Sequence, residues 1–477
     1  MRWMAAVAQL ALTSLGAHAQ EPWFVDVTAQ VGLSGGGTAA WADYDGDGRP
    51  DVLIGGALFR NVDGARFESV ALPEGAASSS GTWGDCDNDG DLDLFTCGRS
   101  FALALSNGDG SFTLSEGLPD VPVVQSLGAA WVDLNADGRL DLYVGGYETW
   151  EEAVYPDAIL LNEGGGHFRE AWRSIAAGKR SGRGVTAADF DDDGDADVYV
   201  SNYRLQPNFL WLNTGEVPPP EVAAERGVAG VAKSEIDYTG GIRYPVSGHT
   251  IGSAWGDLDD DGLIYLFVGN FSHPPDYQDR PMFMRNAGAP DYRFEDMSAT
   301  AALGWQESFA SPALADFDND GDLDLYFTTV YEGDHSVLCR NDGAWRFVDV
   351  TSDAGIAAER TYQAAWADFD ADGDLDLLTG GKLYENRTAP GRHWLRVRVL
   401  GPGSAIGAVA RVRLGERTLT RQVESSTGQG NQNEMTLHFG LGDHAEPVEV
   451  EVRWPGGAMR TVTAQADTTI TVAPADG

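Results

Sequence analysis

The sequence predicts an all-β chain, a seven-bladed β-propeller followed by a small β-sandwich. Three observations predict it: an acidic nine-residue loop that recurs seven times, short apolar runs at fixed places around each loop, and period-two alternation near the C-terminus.

The loop has the form D-x-[DN]-x-D-G-x-x-D. Its odd positions are Asp43, Asp45, Asp47, Arg49 and Asp51 in the first copy, and Asp85, Asp87, Asp89, Asp91 and Asp93 in the second. The third has Asp133, Asn135, Asp137, Arg139 and Asp141; the fourth has Asp189, Asp191, Asp193, Asp195 and Asp197. Asp257, Asp259, Asp261 and Leu263 form the fifth, with Tyr265 at its ninth position. The sixth holds Asp316, Asp318, Asp320, Asp322 and Asp324, and the seventh Asp368, Asp370, Asp372, Asp374 and Asp376.

Acceptors at positions 1, 3 and 5 can converge on one point, glycine at 6 allows a sharp turn, position 7 can offer its carbonyl, and aspartate at 9 closes the shell. Hard oxygen donors in a flexible loop favour Ca²⁺ over Mg²⁺ and disfavour thiolate or imidazole metals. Two carboxylates about 4 Å apart repel by roughly 4 kcal/mol at an effective dielectric near 20. Four in one loop therefore need a cation, and up to seven Ca²⁺ ions are expected. The fifth site is expected to be weakest or completed by water, because Tyr265 replaces the closing carboxylate.

Each loop lies between strand-like runs, such as Ala39-Ala-Trp-Ala42 before the first and Val52-Leu-Ile54 after it. Further cues follow, for example Leu58-Phe-Arg-Asn61 and Phe67, giving about four strands per unit. Successive first aspartates are 42 to 68 residues apart, a spacing that suits four-stranded blades with loops of varying length. The seventh unit lacks an evident fourth strand. Trp23-Phe-Val-Asp-Val-Thr28 resembles Phe347-Val-Asp-Val-Thr351, which ends the sixth unit, so residues 23 to 28 are expected to complete the last blade and close the ring. The propeller is assigned to residues 20–388 and a second domain to 389–477, where Trp394–Val399, Val409–Leu414 and Val448–Arg453 alternate apolar and polar residues.

Charge and targeting bound the function. With 32 Lys+Arg against 73 Asp+Glu, a net charge of −41 repels nucleic acid and anionic membranes. No stretch approaches the roughly 18 apolar residues of a membrane span. Residues 1–19 read as a signal peptide with Arg2, an apolar run, and cleavage after Ala19, so a secreted, periplasmic or cell-surface protein is expected. Of three cysteines, Cys86 and Cys97 flank one hairpin loop, where a bridge and two buried thiols are both open.

The seven loops resemble the FG-GAP/VCBS repeats of calcium-binding propellers, the blades also found in integrin α chains. The C-terminal stretch resembles the ASPIC/UnbV domain in Ala405-Ile-Gly-Ala408, Arg421-Gln-Val423, Gly428-Gln-Gly430 with Gln432, His438-Phe-Gly-Leu-Gly442 and Trp454-Pro-Gly456. Asn431 stands where that family carries an aromatic. The resemblance implies calcium binding and an extracellular setting more than any reaction.

No H-E-x-x-H or P-loop motif occurs, so binding of a protein or glycan partner is the first reading and a secreted carbohydrate-active hydrolase or lyase the alternative. The long excursion from Thr214 to His249, with Asn270–Pro274, is the expected ligand surface. His249 and His273 could act there, and Trp150, Tyr203, Trp211 and Tyr277 could stack on a sugar or a peptide, although packing between blades accounts for such aromatics equally. The second domain is expected to be a cap or an interaction surface.

Overall fold

The computed structural model describes residues 22–120, 125–149, 154–231, 235–237, 243–245, 247–272, 279–388 and 391–475. The signal segment 1–19, Trp150, His273 and Tyr277 lie outside the described residues.

Among the described residues, seven antiparallel meander sheets follow one another along the chain. Their first strands are Ala39–Ala42, Ser80–Gly84, Ala129–Val132, Gly182–Ala188, His249–Gly256, Phe309–Ala315 and Ala364–Ala367. Each packs beside the next and the last beside the first, so they surround a central channel. Blades 1 to 7 are numbered here in that order. Every acidic loop joins the first strand of its blade to the second, which sets all seven loops on one face.

The ring closes through its N-terminal strand. Phe24–Asp26 pairs antiparallel with Lys382–Asn386 as the outer strand of blade 7, and Phe24 is buried against Phe317 and Trp366. Blade 4 departs from the four-stranded expectation. After Phe209–Trp211 the chain makes only a bridge from Trp211 to Glu221, then enters the short helix Ala223–Arg226. Pro218, Pro219 and Pro220 precede that bridge, and proline has no N–H to give a strand ladder.

Cys86, Cys97 and Cys339 are free and buried. Cys97 pairs across the sheet with Ser80 while Cys86 lies beyond Gly84, so the two cysteines of blade 2 sit at opposite ends of one hairpin.

The C-terminal domain stacks a three-stranded sheet on a four-stranded one. Leu437–Gly442, His393–Val399 and Thr468–Val472 make the first; Arg417–Gln422, Val409–Leu414, Val448–Arg453 and Met459–Ala464 make the second. Their alternating apolar faces meet in a core that includes Leu395, Val397, Val412, Phe439 and Val450. The domain sits on the face that carries the acidic loops, and its arginines reach into them. Arg398 pairs with Asp43 at 2.8 Å, Arg453 with Asp189 at 2.5 Å, Arg417 with Asp260 at 2.7 Å and Arg396 with Asp368 at 3.1 Å.

Residues 423–436 leave the sandwich and fill the channel. The Gln432 N–H donates to the Ala39 carbonyl (2.9 Å) and the Trp41 N–H to Gln432 (3.1 Å). Gly428 donates to Ser253, Glu434 to Trp366, Thr82 Oγ1 to Ser425 and Ser426 Oγ to Val185. The segment is polar but hydrogen-bonds into the first strands of six blades, which satisfies its buried groups. A Cβ at Gly428 would lie 2.0 Å from Ser311 Oγ, and one at Gly430 2.4 Å from Ser80 Oγ, so only glycine passes there. The domain is thus a cap with a plug.

Glu424, at the root of the plug, lines a cavity of about 90 Å³ with Thr427 and His438. Burial pushes its carboxyl up to about 8, and its side chain has only a long contact from Asn433 Nδ2, 3.5 Å. A carboxyl raised in the folded state favours folding while protonated, and that contribution is lost as pH rises through the folded value. The melting temperature is therefore expected to fall between pH 5 and pH 9 more in the wild type than in Glu424→Gln. Superimposable pH profiles by scanning calorimetry would contradict this assignment.

Candidate metal centres

The acidic loops share one hydrogen-bond scheme dictated by their spacing. The glycine N–H at position 6 donates to Oδ2 of the first aspartate, as Gly48 to Asp43 (3.0 Å), Gly194 to Asp189 (3.0 Å) and Gly373 to Asp368 (3.1 Å). The ninth-position aspartate accepts from two sides. In loop 6, Asp324 Oδ2 takes the Phe317 N–H (3.1 Å) and Oδ1 the Asn341 N–H from the third strand (2.8 Å). Asp51, Asp93, Asp141, Asp197 and Asp376 repeat the second bond with Asn61, Ser106, Asn162, Asn213 and Asn386.

These bonds leave other oxygens without donors. Oδ1 of Asp43, Asp87, Asp191 and Asp370 is buried and has no hydrogen-bond partner among the described residues. Carboxylate oxygens of Asp43, Asp45 and Asp51 lie within 4.8 Å of one another, as do those of Asp85, Asp87 and Asp93, of Asp189, Asp191 and Asp193, of Asp257, Asp259 and Asp261, and of Asp316, Asp318 and Asp320. Burial is the main cause that pushes Asp51 up to about 8 and Asp93, Asp141, Asp316 and Asp368 up to about 7. Buried acceptors without donors, crowded by like charges, are what a hard cation satisfies. The clusters of buried aspartates can hold a metal ion.

The position-7 side chains point elsewhere. Arg49 and Arg139 turn back on Asp47 and Asp137, while Asp322 pairs with Arg417 and Asp374 accepts from Asn319 Nδ2. In the third loop the Asn135 amide donates to Asp137 Oδ2 (3.0 Å), a bond internal to the loop.

The fifth loop differs from the rest. Tyr265 Oη stands 2.8 Å from Asp259 Oδ1 and 2.7 Å from Asp261 Oδ2, so its single proton bridges the two carboxylates, and Trp345 Nε1 donates to Asp259 Oδ2 (3.2 Å). The Trp345 ring stacks on Tyr265 at 5.5 Å, and the Arg285 guanidinium stands 3.7 Å from Asp259. Asp259 and Asp261 are thus engaged by neutral donors, while Asp257 Oδ1 is a buried oxygen with no hydrogen-bond partner among the described residues.

Sequence reasoning noticed the asparagines as strand cues and missed what their side chains do. Asn61 Nδ2 donates to Phe369 O of blade 7 (2.7 Å), Asn162 to Cys86 O of blade 2 (2.6 Å) and Asn213 to Asp133 O of blade 3 (2.9 Å). Asn286 reaches Phe190 O of blade 4, Asn341 reaches Leu258 O of blade 5 and Asn386 reaches Phe317 O of blade 6. Six of the seven loops are thereby fastened to the loop of the preceding blade. Ser106 stands at this place in blade 2 and is too short for the same reach.

Two of the residues expected at the ligand surface, His249 and Trp211, pack inward. The His249 ring lies against Tyr203 at 4.6 Å, and Trp211, 3% exposed, meets Trp172 edge to face at 5.0 Å. Trp211 is a packing residue between strands and offers no face to a ligand.

Residues 85–144, 149–200 and 247–327 match the family described as FG-GAP-like repeat, and residues 401–477 match ASPIC and UnbV. The chain is 26% identical over 365 residues to cartilage acidic protein 1 of Xenopus tropicalis, which covers 70% of this chain and 52% of that protein. It is likewise 26% identical over 363 residues to the Homo sapiens protein of that name, covering 69% and 50%. The chain thus spans about half the length of the curated relatives it matches. Among solved structures it is similar to BBS1N in complex with ARL6DN, with TM-score 0.46 and 11% identity over 76% of this chain and 97% of that one. It is also similar to the extracellular domain of the two component system BT4673 from B. thetaiotaomicron, with TM-score 0.44 and 10% identity over 94% and 58%.

The asparagine fastening carries a prediction. Asn341→Ala leaves the Leu258 and Leu323 carbonyls without their buried donor, at a cost of about 1–3 kcal/mol. Denaturant unfolding should show that loss, whereas Ser106→Ala in blade 2 should change stability much less.

Proposed function

From a chain that carries FG-GAP-like repeats and an ASPIC and UnbV domain, and is a distant relative of cartilage acidic protein 1, we infer an exported calcium-dependent binding module. Its partner is a protein or a glycan, and its calcium is structural. The observation that carries this reading is the recurrence, blade after blade, of buried aspartate oxygens without donors around one point.

Carboxylates at positions 1 and 3, joined by that at position 5 or 9, and the carbonyl at position 7 would hold each ion. The ion supplies the positive charge that lets these carboxylates stay ionised inside the protein. Sites of this kind in extracellular modules bind calcium at about 10⁻⁴–10⁻³ M, which fits a calcium-rich exterior and the signal-like residues 1–19. The loops on one face position the ions away from the opposite face, which the C-terminal domain leaves free.

The fifth loop is read as closed without an ion, because the Tyr265 hydroxyl and the Trp345 indole already occupy Asp259 and Asp261. Metal analysis of purified protein should therefore find six calcium ions per chain in the wild type and seven in Tyr265→Asp. Chelation should lower the melting temperature of both by tens of degrees. Protein without calcium, or a transition indifferent to EDTA, would overturn the reading.

A further inference from the structure

The channel has a second mouth, at the ends of the first strands remote from the acidic loops. A pocket of about 380 Å³ opens there. Its floor is Gln429, the tip of the plug, which is 7% exposed. The Gln429 N–H is fixed by Ser311 Oγ at 2.8 Å, which holds the residue at the pocket floor. An amide at a pocket floor offers both a donor and an acceptor to a ligand or to water.

The walls add two features. On one side stand Gly36 and the exposed Ser79; on the other stand Arg360 and Tyr362. Tyr362 adopts φ 57°, a left-handed conformation that bulky residues avoid, and its backbone is held there from both ends. Its N–H donates to Thr329 O (3.1 Å) and its carbonyl accepts from Thr328 Oγ1 (3.0 Å). Glycine would meet those bonds with less strain. The tyrosine instead presents a ring that is 44% exposed at the rim.

We propose that this pocket binds one ring of a neutral glycan terminus. This deepens, and rests on, the binding-module reading. The volume lies within the range of small-ligand sites, about 300–1,000 Å³, and a folded partner needs a surface of about 800 Å² instead. A carboxamide, a phenol and a hydroxyl supply alternating donors and acceptors of the kind that sugar hydroxyls match, and the tyrosine ring can cover the apolar face of a pyranose. Charge selects a neutral sugar. The one guanidinium at the pocket, Arg360, is paired with Glu332, and a chain of net charge −41 repels anionic glycans.

The test uses the full calcium-loaded chain, with the methyl glycosides of glucose, galactose, mannose and N-acetylglucosamine as probes, followed by saturation-transfer NMR and titration calorimetry. At least one glycoside should bind. Gly36→Phe should weaken it more than tenfold, since Gly36 lines the pocket and a Cβ there meets nothing within 4 Å, leaving room for a bulky side chain at the mouth. Tyr362→Gly, which relieves the strained backbone and so should fold as well as the wild type, should weaken it similarly. Calcium content and melting temperature are measured on the same samples. Calcium retained with no glycoside binding, binding that survives both substitutions, or preference for an acidic peptide over every glycoside would overturn the pocket assignment. Loss of calcium from the wild type itself would instead overturn the function on which it rests.

Discussion

The ring depends on what its buried aspartates accept. At the ninth position of each loop except the fifth, a carboxylate takes one backbone N–H from the third strand and a second from inside the loop. An ionised group at that depth is tolerated only when its oxygens are satisfied, so the turn has little freedom to change shape. The asparagine that follows carries the same logic across the gap to the preceding blade. Local turn chemistry and ring assembly are therefore one network, not two.

The second domain extends that network. Its arginines meet first-position aspartates in blades 1, 4 and 7, where one carboxylate oxygen accepts the guanidinium and a loop N–H. Charge that is excessive within the propeller is thus partly balanced by a neighbour rather than by solvent. Such partly buried pairs hold orientation more than they add stability.

Much of this was legible in the sequence because the acidic loop needs fixed residues at fixed spacing, and a repeat with that signature places its own strands. The closing strand could be read too, since Trp23–Thr28 copies the pattern of Phe347–Thr351. The plug could not. Ser425-Ser-Thr-Gly-Gln-Gly-Asn-Gln432 has the composition of a solvated surface loop, and its burial depends on strand edges contributed by six distant blades. The missing strand of blade 4 was hidden for a related reason: three prolines looked like part of a ligand loop and had in fact taken the place of an outer strand. Tyr265 was visible as an exception, but its hydroxyl bonds to Asp259 and Asp261 depend on a rotamer no pattern encodes.

The pairing of Phe24–Asp26 with Lys382–Asn386 means that this strand of the ring is made well before the sheet it completes. More than three hundred residues separate the two halves of blade 7. Until the final blade exists, the nascent molecule is an open arc with an apolar edge at its leading end, and the plug, later still in the chain, arrives when the ring is able to close around it. Closing the ring therefore waits on the last blade, and the plug can be enclosed only then.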